Sequence, residues 1–181
     1  MEIQYAILGF LSWRPLSGYD LKKMISESDL FYWSGNNNQI YNSLIQLHKE
    51  GLVTQQVQYQ ESLPAKKIYS ITDLGRAELR KGALADPELP EFRNNFLIQL
   101  AWADGLSDEE LDALLAKYEE EIDIQLRMRR VQASDLSGVP NRTPRETYLW
   151  EQIFQNMLAV YQNELAWIRQ MRKELFKPGG N

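Results

Sequence analysis

Residues 34–53 read SGNNNQIYNSLIQLHKEGLV, polar amides at the start and an amphipathic segment at the end, and the fold turns on what this stretch becomes. Ile40, Leu44 and Leu47 fall at i, i+4 and i+7, the spacing of one apolar helical stripe, and Gly51 stands where a left-handed residue ends a helix. At about 100° per residue, Asn38, Asn42, Ile45 and Lys49 face the other way, with Tyr41 and Gln46 on their flanks. A solvated face more usually carries Glu and Lys, which are better helix formers than Asn. Two readings are open for the amides. Ser34 or Asn36 caps an ordinary surface helix by accepting from its first free N–H groups, or the amide face reads a partner.

The flanking sequence bears on that choice. LVTQQVQYQ, from Leu52, alternates, with Val53, Val57 and Tyr59 at odd positions, and KIYSI at 67–71 is a second β-prone run. ESLPAK lies between them as a loop, so a β-hairpin follows the helix directly. Upstream, EIQYAILGFL places Ile3, Ala6, Ile7, Phe10 and Leu11 on one helical face. Ser17 and Asp20 form a capping box for a second helix carrying Leu21, Met24 and Ile25. Helix, helix, helix, hairpin is the order of a winged helix-turn-helix, and residues 37–49 are then its recognition helix.

The series YAILGFLS, SGYDL, QIYNSLIQLHKEGLV and KKIYSITDLGRAEL, in this order over about the first 80 residues, resembles the PadR family of transcriptional regulators. The specific parts are Tyr41, Leu44, Leu47, Glu50, Gly51 and Leu52, and the series Tyr69, Ile71, Thr72 and Gly75. The remaining chain resembles the longer PadR subfamily by length and helix pattern. The resemblance implies a DNA-binding homodimer, usually a repressor, released by a small aromatic compound such as a phenolic acid. It places the DNA contacts on the recognition helix and wing, which here carry Asn37, Asn38, Gln39, Tyr41, Asn42, Lys66 and Lys67, with Lys49 the one cation on the outward helix face. Asn and Gln pair bidentately with adenine, Ile45 suits a thymine methyl, and Tyr41 and the lysines suit phosphates.

Composition sets the limits. At 181 residues and 44% apolar content the chain holds one substantial core or two small ones. No run approaches the roughly 20 apolar residues of a membrane span, and Glu2 stands where a signal peptide would be basic, so a soluble, cytoplasmic protein is expected. The absence of cysteine excludes a thiol redox sensor and a thiolate metal site. The net charge of -5 counts against DNA binding until it is divided. Residues 1–82 hold nine Lys and Arg against eight Asp and Glu, and residues 83–181 hold eleven against seventeen. The acidic excess belongs to the second part, and a local stripe of Lys22, Lys23, Lys49, Lys66 and Lys67 remains for phosphates.

Beyond a helix starting near Thr72, the second part reads as helices. ALADPELP breaks the chain at Pro87 and Pro90, and residues 91–103 place Phe92, Phe96, Leu100 and Ala103 on one side. Ser107 and Glu110 cap a long helix with Leu111, Leu114, Leu115, Tyr118, Ile122 and Leu126, running to about Val131. After the loop ASDLSGVPNR, Thr143, Pro144 and Glu146 supply an N-cap, an N1 proline and an N3 glutamate. Leu149, Ile153, Met157, Val160, Tyr161, Leu165, Ile168, Met171 and Leu175 then keep a helical period over about 30 residues, roughly 45 Å. So long a stripe is most economically covered by a second copy, and a two-fold dimer would place two recognition helices about 34 Å apart on an inverted-repeat operator.

The expected fold is therefore mainly α with a small β-hairpin: a winged helix-turn-helix domain over 1–82 and an all-helical dimerisation and effector domain over 83–181. Trp102, Trp150, Trp167, Tyr118, Tyr148 and Tyr161 offer aromatic surface, and Arg127, Arg129, Arg130 and Arg145 could pair a carboxylate; core packing and a solvated helix end explain them as readily. No catalytic, metal or cofactor residues are expected. There is a single histidine, His48, and no glycine-rich phosphate loop, and EEEID at 119–123 reads as a solvated face. The rival to a DNA-binding repressor is a helical dimeric scaffold that uses its winged helix to bind protein.

Overall fold

A computed structural model of the chain describes residues 3–27, 37–59, 65–90, 94–134, 139–140 and 142–177. The chain divides into two compact units, Met1–Leu89 and Pro90–Asn181.

In the first unit, α1 (Ile3–Leu11), α2 (Gly18–Glu27) and α3 (Asn37–Lys49) are followed by a sheet and by α4 (Asp73–Ala83). The expected face of α1 is buried in full, and Leu8 is buried beside it because α1 touches both α3 and α4. Ile40, Leu44 and Leu47 of α3 close the same core with Leu21, Ile25, Val53 and Tyr69. The α2 cap is reciprocal. Ser17 Oγ accepts from the Asp20 N–H at 3.1 Å while the Asp20 carboxylate accepts from the Ser17 N–H at 3.1 Å and its hydroxyl at 2.6 Å.

The hairpin gains a third strand. Between β1 (Leu16–Ser17) and β2 (Val53–Gln58) lies β3 (Lys66–Ile71), paired antiparallel to both, with Leu16 opposite Tyr69 and Val53 opposite Ile71. Two residues after Pro15 carry no β periodicity, so only the pairing partner reveals β1. Of the apolar residues at odd positions, Val53 is buried, but Val57 is 47% and Tyr59 85% exposed. β2 is an edge strand with only its first residue buried, so this side of the distal hairpin projects while Lys66 of β3 still reaches α2. The loop residues 61–64, like the caps expected at Ser34 and Asn36, lie outside the described residues.

The junctions explain the two sequence series. At the end of α3, the Leu52 N–H donates to the Leu47 carbonyl at 2.9 Å and the Gly51 N–H to that of His48 at 3.1 Å, a Schellman motif with Gly51 at φ +71°. The Thr72 hydroxyl reaches back to the carbonyls of Gly51 and Leu52 at 2.8 and 3.0 Å, and as N-cap of α4 it accepts from the Gly75 N–H. One threonine thus ties the end of the recognition helix to the start of α4.

The second unit is built on two antiparallel helices, α6 (Asp108–Ser134) and α7 (Pro144–Leu175), with the short α5 (Asn95–Ala101) packed on them. The segment expected to be helical over 91–103 is broken into α5 and a 3-10 turn at Ala103–Gly105; Phe92 lies outside the described residues. The capping pairs Ser107–Glu110 and Thr143–Glu146 form as expected. Phe96, Leu115, Leu126, Leu158, Leu165 and Ile168 make the core. Around it, Phe96 stacks on Tyr118 with ring centroids 3.6 Å apart, and Trp167 meets Phe96 edge-on. The Tyr118 hydroxyl donates to Glu164 at 2.6 Å, and Asn94, N-cap of α5, donates to Glu164 and to the Tyr118 oxygen at 3.1 Å each.

Burial, and next the carboxylate it donates to, push the Tyr118 phenol up to about 12. A phenol held protonated in the fold stabilises it fully below pH 10, and that stabilisation is lost as the pH rises from about 10 to 12. Tyr118→Phe should lower stability by about 1–2 kcal/mol at neutral pH and flatten its alkaline decline in that window. Denaturant melts at pH 7, 10 and 12 measure both; parallel curves for the two proteins would remove Tyr118 from the account.

Part of the acidic run has a structural role. Glu119 pairs with Arg169 at 2.8 Å and Arg172 at 2.6 Å, Asp112 with Arg172 at 2.8 Å, and Asp123 with Arg169 at 3.6 Å. Its solvated face shrinks to Glu120 and Glu121, because an antiparallel partner places arginines opposite the other two. The Arg169 hydrogen bond is the largest influence holding Glu119 below the usual carboxylate range.

Candidate nucleic-acid interface

The buried stripe of α3 turns its opposite side out. Asn38, Gln39, Asn42, Ile45, Gln46 and Lys49 are all exposed, Ile45 at 65%. The backbone of Asn37 opens the helix; its side chain lies outside the described residues. An isoleucine left this open on a helix whose other face is fully buried presents a methyl-bearing contact between two amides. Tyr41 is 44% exposed and its ring edge lies on Gly18, where an added Cβ would come within 2.7 Å of it. Its neighbour Tyr69 is held above the ordinary phenol range by burial first and by Tyr41 second.

At the wing, Lys67 is exposed on β3 opposite Val57. Lys66 is half-buried and its ammonium lies 3.1 Å from the Asp20 carboxylate. This partner was not legible in the sequence, since Asp20 of α2 and Lys66 of β3 lie more than forty residues apart along the chain and meet only in the fold. Asp20 is held below the usual carboxylate range, first by the Ser17 hydroxyl and also by Lys66. Asn38, Asn42, Ile45 and Lys49 thus share one helix face, whereas the wing lysines stand on a separate element next to the first turn of α2.

His48 has a structural place. Its Nδ1 lies 3.1 Å from the Val53 carbonyl oxygen, which calls for the proton on Nδ1 and joins the last turn of α3 to β2. No group of acidic or histidine side chains able to hold a metal occurs among the described residues.

The aromatics and arginines of the second unit are dispersed. Tyr118 and Trp167 pack around Phe96, Trp150 meets Phe154 on its own helix, and Trp102 and Tyr148 are exposed at 83% and 58%. Arg127 pairs with Asp123, and Arg129 lies over the Tyr161 ring, 4.7 Å from its centroid. Local ion pairing and cation–π packing thus account for two of the four arginines. No described helix is long and apolar enough to cross a membrane.

Comparison with known proteins agrees with this geometry in both units. The model of the transcriptional regulator PadR-like family matches residues 7–81, and that of the virulence activator alpha C-terminal region matches residues 92–175. The negative transcriptional regulator PadR of Bacillus subtilis is 33% identical over 137 residues, which is 75% of this chain and 71% of that protein. A probable transcriptional regulator of Mycobacterium tuberculosis is 34% identical over 90 residues, half of this chain and 47% of the relative. Among solved structures, B. subtilis PadR in complex with operator DNA superposes with a TM-score of 0.82 at 25% identity, covering 96% of this chain and 98% of that one. The Vibrio cholerae virulence activator AphA gives 0.66 at 26% identity, covering 96% and 98%. With both units matched in order and a relative of this identity spanned over most of its length, the chain belongs to the PadR family of transcriptional regulators, DNA-binding winged-helix proteins and not enzymes.

Proposed function

We propose that the protein is a cytoplasmic repressor that binds an inverted-repeat operator as a two-fold homodimer and is released by a small aromatic acid. The observation that carries the reading is the exposed amide face of α3, Asn38, Gln39 and Asn42 around Ile45, seated on a fully buried stripe beside a projecting hairpin. Residues 1–82 are the DNA-binding part and residues 83–181 the dimerisation and effector part. Asn38 and Asn42 read A·T pairs in the major groove. Asn37, Gln39, Tyr41, Lys49, Lys66 and Lys67 fix the register on the phosphates.

The dimer is supported by apolar surface that the single chain leaves open. Ile124, Met128 and Val131 near the end of α6 and Tyr148, Leu149 and Ile153 near the start of α7 are all exposed, and the antiparallel pairing collects them at one end of the helix pair. Large apolar side chains left open in this way support association with a second copy. The effector class follows the B. subtilis relative, 33% identical, whose structure in complex with p-coumaric acid superposes at a TM-score of 0.78.

The test is gel-shift binding to the DNA upstream of the protein's own gene, with excess unrelated competitor, repeated across salt and with p-coumaric acid added. Affinity should fall steeply with salt as phosphates regain counterions, and the acid should release the complex. Persistent failure to retard DNA at low salt by an intact dimer would return the protein-scaffold reading. Asn38→Ala and Asn42→Ala should each relax base preference at one half-site position by about 1–3 kcal/mol, seen by competition with single-base operator variants. An unchanged preference would remove that residue from the reading set.

A further inference from the structure

We propose that Asp20 is a specificity-determining residue, whose carboxylate holds the wing cation Lys66 and thereby keeps the protein's affinity for unrelated DNA low. The inference rests on the DNA-binding reading above. It begins from placement: the first turn of α2 lies between the two elements that read DNA. On one side Gly18 packs under the ring of Tyr41 from α3. On the other, Ser17 pairs with Ile68 of β3, two residues from Lys66. A negative charge at this junction therefore stands beside whatever anion the helix and wing approach together.

Capping α2 does not require Lys66. The reciprocal bonds with Ser17 complete the capping box, and the 3.1 Å contact to the Lys66 ammonium is additional. Both partners are 36% exposed, and so open a pair contributes under about 1 kcal/mol to folding. Its larger consequence is for charge. Of the five lysines expected to meet phosphates, Lys66 is neutralised by a carboxylate before any phosphate arrives. A loosely docked duplex meets Lys66 with its charge already cancelled. A fully seated operator brings a phosphate close enough for Lys66 to exchange Asp20 for it, so the full charge is expressed only in the specific complex.

The experiment measures binding of a fluorescent duplex of unrelated sequence by the full chain, across salt, for the wild type, Asp20→Asn, Lys66→Gln and the double variant. Asparagine keeps an oxygen for the Ser17 N–H, so the cap survives while the charge goes. Asp20→Asn should raise affinity for unrelated DNA about 3- to 10-fold and steepen the slope of log K against log salt by about 1, the signature of one more phosphate contact. Lys66→Gln should leave the wild-type slope nearly unchanged and cancel the gain in the Asp20→Asn background. A folded Asp20→Asn protein with unchanged slope and affinity would overturn the proposal. So would a loss of about one unit of slope on Lys66→Gln in the wild type, a test that leaves the cap untouched and stands even if Asp20→Asn misfolds. Wild-type protein that binds neither this duplex nor the upstream DNA would instead overturn the DNA-binding reading itself.

Discussion

Gly75→Ala should destabilise the first unit by about 3 kcal/mol, a fall in melting temperature of more than about 10 °C for a unit of this size. A Cβ at this position would fall 2.8 Å from Ile71 Cγ1, with the Leu52 carbonyl oxygen closer still. Neither obstacle yields easily. The Leu52 carbonyl is held by the Thr72 hydroxyl and by the Thr72 N–H at 3.0 Å, and Gly75 itself donates to Thr72. Relief would pull α4 away from the end of α3 and loosen the recognition helix, so DNA binding should be lost with the fold. Gly9→Ala is the control: a Cβ there meets nothing within 4 Å, and alanine inside α1 should be neutral or stabilising by up to about 1 kcal/mol. Thermal melts of the two variants decide the point, and equal melting temperatures would show that α4 shifts without cost.

Ile45→Glu should abolish operator binding, by about 100-fold or more, while leaving stability within about 0.5 kcal/mol of the wild type. Ile45 is 65% exposed and no part of the core, so folding does not sense the change. Bound DNA would meet a carboxylate in the centre of the amide face, where like charge is desolvated and repelled by flanking phosphates at a cost of several kcal/mol. Ile45→Ala loses only an apolar contact and should cost far less. Circular dichroism melts beside gel shifts separate the two properties. Retained binding by Ile45→Glu would mean that α3 does not face the duplex with this side.

Several features were legible in the sequence because they are local. The stripe of Ile40, Leu44 and Leu47, the caps at Ser17, Ser107 and Thr143, and the left-handed stop at Gly51 each depend on residues within a few positions of one another. The stripe on α7 was legible too, but not its fate. Leu165 and Ile168 are buried against α6, while Leu149, Val160 and Leu175 remain open, because one antiparallel partner covers only one side of a helix.

What periodicity by itself determined about this protein is the order of its elements and the orientation of α3, buried stripe inward and amides outward. Those follow from helical geometry and the hydrophobic effect acting within one segment. The tertiary structure decided which residues from distant elements meet. Leu16 and Ser17 become a strand only when β3 lies beside them, and Thr72 ties Gly51 and Leu52 to α4 across about twenty residues of chain. Lys66 finds Asp20, and Arg169 and Arg172 find the acidic run of α6, through the same kind of long-range contact. Charge and hydrogen-bond partnerships act through space at a few ångströms, and no spacing along the chain encodes which two surfaces folding will bring that close.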